Sequence, residues 1–375
     1  PYKPYNHTMK QRYLISGGGT GGHIFPALAI AKKIKKENPD ADILFIGASD
    51  KMEMKRVPEA GFPIEGLKIY GISRDFSIKG IWKNVKLPFV LMGAMRKARK
   101  IIRNFKPDIA IGVGGFASGP ALKAADQLGV PTLLQEQNSY PGVTNKMLAP
   151  KAKRICVAYE GLEKFFPADK IVLTGNPIRE EILNLKRKDP KAYEFFGFSP
   201  EKKTVLVVGG SLGARTLNET MAEHLDEFRN ADIQLLWQTG ELYYKNIDSK
   251  LLAEQDEHIR IMPFIRNMND AYSMADIIVS RAGALAIAEL AVVGVPTILV
   301  PFPYAAEDHQ TYNAKALSSR GAAVLIPDSQ AKAELMPALM DLVKDPERCA
   351  HMGEVLRTFA QPDAIDKIYS YIEQV

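Results

Sequence analysis

The chain has 375 residues, 46% of them hydrophobic and 25% charged, and a formal charge of +6 at neutral pH. This length suits two ordinary domains, each able to bury its own core, and the composition excludes a disordered or fibrous chain. With two cysteines, Cys156 and Cys349, a disulfide framework is excluded and a reducing compartment is expected; Cys349-Ala-His351 has no further Cys or His near it in sequence, and no metal is expected there. The opening PYKPYNHTMKQRYLI lacks the apolar core of a secretory leader, and Met9 reads as a natural start. No run of about 20 apolar residues is present, so no membrane span is expected.

In chain order, residues 11–16 (QRYLIS) read as a strand that runs into Gly17-Gly18-Gly19-Thr20-Gly21-Gly22-His23 and then a helix, IFPALAIAKKIKK. A strand, a glycine loop and a helix bring backbone N–H groups close to an anion. His23 at the helix start fits either a cap or a catalytic group. A second strand follows at 42–47. The Asp40-Ala41-Asp42 before it matches a metal-binding DxD pattern. It falls at the N-terminal end of the strand, away from the edge where parallel sheets bind ligands, and is set aside.

The positive charge is concentrated in one segment. Gly71 to Lys106 holds ten Lys/Arg against the single acid Asp75, so it carries +9 and the rest of the chain −3. Its basic residues interleave with Ile78, Ile81, Trp82, Leu87, Phe89, Val90, Leu91 and Met92. A core helix with a solvated basic face is the bland reading. A nucleic-acid patch is disfavoured because no binding module surrounds it. The preferred reading is docking on an anionic membrane surface, with Lys83, Lys86, Arg96 and Lys97 on the headgroups and Ile78, Trp82, Leu87 and Phe89 dipping in.

A strand at 108–113 leads to a second glycine loop, Gly114-Gly115-Phe116-Ala117-Ser118-Gly119-Pro120. Strands at 131–135, 155–157 and 171–174 complete a half with six expected strands, and Glu136-Gln137-Asn138-Ser139-Tyr140-Pro141-Gly142 follows the first of these three. Strands alternating with helices predict a doubly wound parallel sheet. Beyond Gly175-Asn176-Pro177-Ile178-Arg179 and a polar stretch, TVLVVGG (204–210) opens a second half with its own loop, Gly209-Gly210-Ser211-Leu212-Gly213-Ala214-Arg215. Later strands are expected at 232–239, 259–264, 275–280 and 296–301. The expected domains are 9–176 and 177–359, with a terminal helix in 360–375 packing back onto the first.

The stretch 275–317 reads as strand, turn, short helix and strand. Its helix 284–293 is almost wholly apolar yet carries Glu289, and a lone acid there is costly without a partner. Glu289 reads either as a solvated or Arg281-paired residue, or as the acceptor of sugar hydroxyls, with the amides of Gly283, Ala284 and Leu285 facing phosphate. Glu307, Asp308, His309, Gln310 and Asn313 form a polar rim after the second strand.

GGGTGGHIFPALAIA, GVGGFASGP, EQNSYPG, TGNPIR, GGSLGAR and SRAGALAIAE…GVPTILVPFPYAAEDHQTYNA, in this order along nearly the whole chain, resemble glycosyltransferase family 28, the bacterial peptidoglycan glycosyltransferases. The resemblance implies the GT-B fold, two Rossmann-like domains with the active site in the cleft between them. It implies inverting transfer of GlcNAc from UDP-GlcNAc to the muramoyl 4-hydroxyl of lipid I, without a cofactor or an obligatory metal. It places Ala284, Leu285, Ala286, Ile287, Ala288 and Glu289 on the nucleotide sugar, with Glu289 on the ribose. Ile265 reads the uracil through its backbone, Ser211 and Arg179 lie near the phosphates, and Gln310 and Asn313 hold the GlcNAc hydroxyls. Thr20, Gly21, Gly22 and Asn138 face sugar and acceptor, and Gly114, Gly115 and Ser118 form an acceptor or diphosphate loop. The chain departs at His309-Gln310, where some members carry Gln-Gln.

For this chemistry His23 is the expected base, its ordinary pKa of about 6.5 lying near working pH, with Glu136 in reserve. A lipid-linked acceptor implies peripheral attachment to the cytoplasmic face of the bacterial inner membrane, alongside cell-wall synthesis proteins and without nucleic acid. The alternatives are a diacylglycerol glycosyltransferase or a UDP-GlcNAc 2-epimerase on the same fold, and a non-catalytic nucleotide-sugar sensor.

Overall fold

The computed structural model describes residues 11–71, 77–210 and 213–375, with the side chains of 78–81, 83, 84 and 306 excepted. Within it the chain forms two compact units, one comprising the residues up to Pro177 together with Asp363–Val375, the other Ile178–Pro362.

Unit 1 is built on seven parallel strands: β1 (Arg12–Ser16), β2 (Asp42–Ala48), β3 (Ile64–Leu67), β4 (Ile109–Gly112), β5 (Thr132–Glu136), β6 (Arg154–Val157) and β7 (Ile171–Leu173). Their order is β3-β2-β1-β4-β5-β6-β7. Helices cover both faces, and the strand side chains divide between two buried clusters, one holding Leu14, Ile46, Ala110 and Leu134, the other Ile15, Phe45, Ile111 and Leu133. Such two-sided burial is why these strands read as continuous apolar runs. The order reverses between β1 and β4, and both glycine loops leave the sheet there.

Six strands were expected in this half and seven are present. The additional one, β3, is short and half polar (IEGL), with Glu65 exposed at the sheet edge, and so lacks the apolar run that marks the others. Helix Ala364–Ile372 lies on helix Gly21–Glu37 of the same unit. It buries Ile368 and Ile372, and Asp366 meets Lys33 Nζ at 2.6 Å.

Unit 2 has six parallel strands: β8 (Thr204–Val208), β9 (Gln234–Gln238), β10 (Ile259–Met262), β11 (Ile277–Ser280), β12 (Thr297–Leu299) and β13 (Val324–Leu325). Their order is β10-β9-β8-β11-β12-β13. β13 is a two-residue edge strand that apolar patterning does not reveal. The reversal lies between β8 and β11, so Gly209-Gly210 after β8 and the Arg281–Gly283 turn both leave the sheet at its C-terminal edge, the position where doubly wound sheets take ligands.

Candidate active site

In unit 1, a buried carboxylate organises the first glycine loop. Glu53 is fully buried; its Oε2 accepts from Gly19 N and its Oε1 from Ala48 N, both at 2.9 Å. The second loop presses on the first: Gly115 has φ +89°, and a Cβ there would come within 2.2 Å of Gly18 O. Only glycine tolerates both the conformation and the approach.

The His23 ring packs on Gly114, where an added Cβ would lie 2.7 Å from its Cδ2. His23 Nδ1 lies 3.2 Å from both Gly18 O and Thr20 Oγ1. A carbonyl oxygen only accepts, so Nδ1 carries a proton, and in the neutral ring the lone pair is then on Nε2, the arrangement a general base needs. Gly21 and Gly22 open the helix beside it.

Glu136 is buried at the end of β5. Its Oε1 accepts from Asn138 N (3.0 Å) and Asn138 Nδ2 (3.3 Å), and its Oε2 from Gly142 N (3.3 Å) and Asn145 Nδ2 (2.8 Å). Burial pushes its carboxyl above the ordinary 4.5, and these four donors offset part of the rise. Such a carboxylate shapes the 137–142 loop. Ser118 is fully buried, and its Oγ has no hydrogen-bond partner among the described residues.

In unit 2, helix Ala284–Val293 follows β11 as the apolar pattern predicts. Its N-cap is Gly283, which has no side chain to close the first turn. Glu289 is buried and meets Arg179, not Arg281: Arg179 Nε reaches its Oε1 at 2.7 Å and Nη2 its Oε2 at 2.8 Å. Tyr272 Oη adds a third bond to Oε2 at 3.2 Å. Burial, reinforced by the Glu289 charge, raises Tyr272 well above 10, so it remains a phenol and donates. Arg281 pairs instead with Asp328 at 2.5 Å and with the carbonyls of Val300 and Pro301, because its turn opens towards β12. Asp328 also accepts from Thr216 Oγ1 at 2.8 Å, tying in the helix after the GGSLGAR loop.

Gln310 and Asn313 grip one residue, Ala282. Gln310 Oε1 accepts from Ala282 N (3.2 Å) and Phe302 N (2.9 Å), while Asn313 Nδ2 donates to Ala282 O (3.3 Å). The turn before the helix is thus held from both sides. Glu307 and Asp308 precede them with φ of 54° and 55°, strained for residues with side chains, as is common at ligand edges. Ile265 donates its amide to Gln238 Oε1 at 3.0 Å, which leaves its carbonyl as the group able to meet a base.

Ser211 lies outside the described residues, as do the side chains of Ile78 and Lys83. Glu53, Gln238, Tyr272 and Asp328 were not singled out in the sequence. Each reaches a partner in another element, and none has a local pattern that marks it.

Two doubly wound parallel sheets, each with glycine-rich turns at its topological switch point, define the GT-B architecture of nucleotide-sugar transferases. The profile of the glycosyltransferase family 28 N-terminal domain matches residues 13–157 and that of its C-terminal domain residues 204–368. The chain belongs to glycosyltransferase family 28. It is 53% identical to the UDP-N-acetylglucosamine--N-acetylmuramyl-(pentapeptide) pyrophosphoryl-undecaprenol N-acetylglucosamine transferase of Parabacteroides distasonis, over 98% of each chain. The crystal structure of Acinetobacter baumannii MurG superposes with a TM-score of 0.79 at 32% identity, over 98% of this chain and 100% of that one. A UDP-GlcNAc 2-epimerase from Neisseria meningitidis, with a TM-score of 0.67 at 14% identity over 98% of this chain and 99% of that one, shares the fold alone.

Proposed function

We propose that the protein transfers GlcNAc from UDP-GlcNAc to the muramoyl hydroxyl of undecaprenyl-pyrophosphoryl-N-acetylmuramyl-pentapeptide, a step of peptidoglycan synthesis. The observation that carries this reading is full-length likeness, 53% identity over 98% of the chain, to a transferase named for that reaction. The epimerase and diacylglycerol readings have no comparable support.

The residues divide the work as follows. The acceptor 4-hydroxyl attacks the anomeric carbon, its proton passes to His23 Nε2, and the bond from that carbon to the diphosphate oxygen breaks. The electron pair leaves with UDP, whose charge is met by the amides and dipole at the start of helix Ala284–Val293. Glu289 accepts from the ribose hydroxyls once Arg179 turns from it to the diphosphate, and Ile265 O meets the uracil. Gln310 and Asn313 act through the turn they hold as well as on the sugar. Thr20 and Asn138 face the acceptor; Glu136 keeps Asn138 in place, and we assign it that role in preference to the base.

The enzyme works at an anionic membrane surface, on the cytoplasmic side. Helix Ile78–Phe105 supports this with Trp82, Val85, Phe89 and Met92 on one face, Trp82 60% and Phe89 71% exposed. Lys86 and Arg96 are exposed beside them. Lys97 is partly engaged, donating to Gly66 O at 2.7 Å. Among the described residues no helix is long and apolar enough to cross a membrane. An exposed apolar stripe flanked by cations suits shallow insertion.

The test is transfer of radiolabelled GlcNAc from UDP-GlcNAc to a lipid I analogue, with diacylglycerol as a parallel acceptor and EDTA present. Label on lipid I alone is expected. Label on diacylglycerol, or release of free ManNAc without acceptor, would overturn the reading.

A further inference from the structure

Unit 2 carries a cavity of about 480 Å³ at the edge of its sheet opposite the glycine-rich turns. It opens where strands begin: Lys203, Asp276 and Pro296 line it and stand immediately before β8, β11 and β12. Ile277, Val295 and Leu342 give it an apolar floor, and three cations border it, Arg187, Lys203 and Arg357.

Asp276 and Glu354 are the carboxylates of the lining, and among the described residues neither forms an ion pair with these three cations. Asp276 gives one oxygen to Lys188 Nζ at 2.6 Å and the other to Thr204 N at 2.8 Å. Arg187 donates to the carbonyls of Tyr272 and Ala275, and Lys203 Nζ to Val343 O at 2.6 Å. Arg357 lies across Gly294, where an added Cβ would come within 2.4 Å of its Nε. Burial, joined in a minor way by the Arg357 charge, pulls the Arg187 pKa down against the opposing pull of Asp276. Arg187 is partly buried while Lys203 and Arg357 are exposed at the rim, and like charges gathered there repel one another at a cost that an anion would recover.

We propose that this cavity binds a small organic phosphate, its phosphate between Arg187, Arg357 and Lys203 and its apolar part on the floor. Guanidinium groups meet phosphate oxygens two at a time, and an ammonium adds a point charge. The volume lies within the roughly 300–1,000 Å³ usual for small-molecule sites. The proposed transfer reaction uses the opposite ends of these strands, so the site is separate from the donor position and stands whether or not that reaction is assigned correctly.

Cys349 lines the same cavity and serves as reporter. The only other cysteine, Cys156, is fully buried, its thiol pushed up to about 12 by burial, so alkylation of the native chain falls on Cys349. The experiment measures the rate of Cys349 alkylation at mildly alkaline pH, located by peptide mass spectrometry. Phenyl phosphate and inorganic phosphate are compared with sodium chloride at matched ionic strength. Phenyl phosphate is expected to slow labelling by about threefold or more at millimolar concentration, and to act at lower concentration than inorganic phosphate. Arg357→Gln with Lys203→Gln, both surface changes, is expected to abolish protection while the melting temperature holds; Arg357→Gln alone gives the same reading if the double variant melts early. Equal rates in phosphates and chloride overturn the proposal, as does protection that survives in the variants. Equal potency of the two phosphates overturns the organic ligand class.

Discussion

Replacing Glu289 with Gln tests the structural and the proposed functional role of this carboxylate together. Two charge-assisted bonds from Arg179, at 2.7 and 2.8 Å, and one from Tyr272 converge on it. Gln keeps a single acceptor oxygen and turns an NH₂ towards a guanidinium that also only donates, so one bond is lost and one donor–donor contact is made. Fully buried, such a bond contributes about 1.5–3 kcal/mol. The Arg179 side chain is 49% exposed while that of Glu289 is 12% exposed, so water screens one partner. The expected loss is therefore about 1–2 kcal/mol, or roughly 3–6 °C in the melting of a unit of this size. If the same oxygens accept from the ribose, UDP-GlcNAc should also bind about tenfold more weakly, one charge-assisted contact having gone. Scanning calorimetry and titration calorimetry measure the two effects. A wild-type melting temperature would refute the stability argument. A lower melting temperature with unchanged donor affinity would leave Glu289 as an anchor for Arg179 and remove it from the ribose.

His23→Ala should reduce kcat by about 100-fold or more while UDP-GlcNAc affinity holds; turnover within about threefold of wild type rules His23 out as the base. Glu53→Gln should lower the melting temperature of unit 1, because two backbone amides then share one acceptor at a cost of about 1–3 kcal/mol; an unchanged melt would show that the first glycine loop does not depend on it. Lys86→Gln with Arg96→Gln should weaken sedimentation with phosphatidylglycerol vesicles by roughly 30-fold, at about 1 kcal/mol for each charge; unchanged sedimentation sinks the docking assignment. Asp256 gives the pH dependence. Burial alone would raise its carboxyl, but Arg229 at 2.7 Å and the amides of His258 and Ile259 outweigh that and hold it below its ordinary 3.8. A depressed carboxyl stabilises the fold above its unfolded value, and that contribution is lost as pH falls through the folded value. Asp256→Asn should therefore melt below wild type at neutral pH, with the gap closing below about pH 3.8; a gap that stays constant with pH contradicts this.

What the sequence revealed and what it hid follow from the range of the interactions. Strands buried on both faces declare themselves by apolar runs, and the glycine loops declare the turns after β1, β4 and β8, because only glycine meets the backbone demands at Gly115. β3 and β13 escaped notice because edge strands of four and two residues have little apolar surface to show. The need for a partner at Glu289 was legible from its apolar helix; the partner itself was not. Arg179 is 110 positions away in sequence, and Arg281, the nearer cation, is claimed by Asp328. Glu53 and Gln238 escaped for the same reason, since their buried bonds go to backbone amides and carbonyls that any residue could supply.

The return of Asp363–Val375 to unit 1 imposes an order on the life of the chain. The groove on helix Gly21–Glu37 that receives Ile368 and Ile372 is translated early, but its cover is translated only after the whole of unit 2. During synthesis unit 1 therefore waits with an apolar seam open, next to Lys33, whose partner Asp366 has yet to be made. Unit 1 is therefore completed only when its last helix arrives, and until then the open seam is a place where chains can associate.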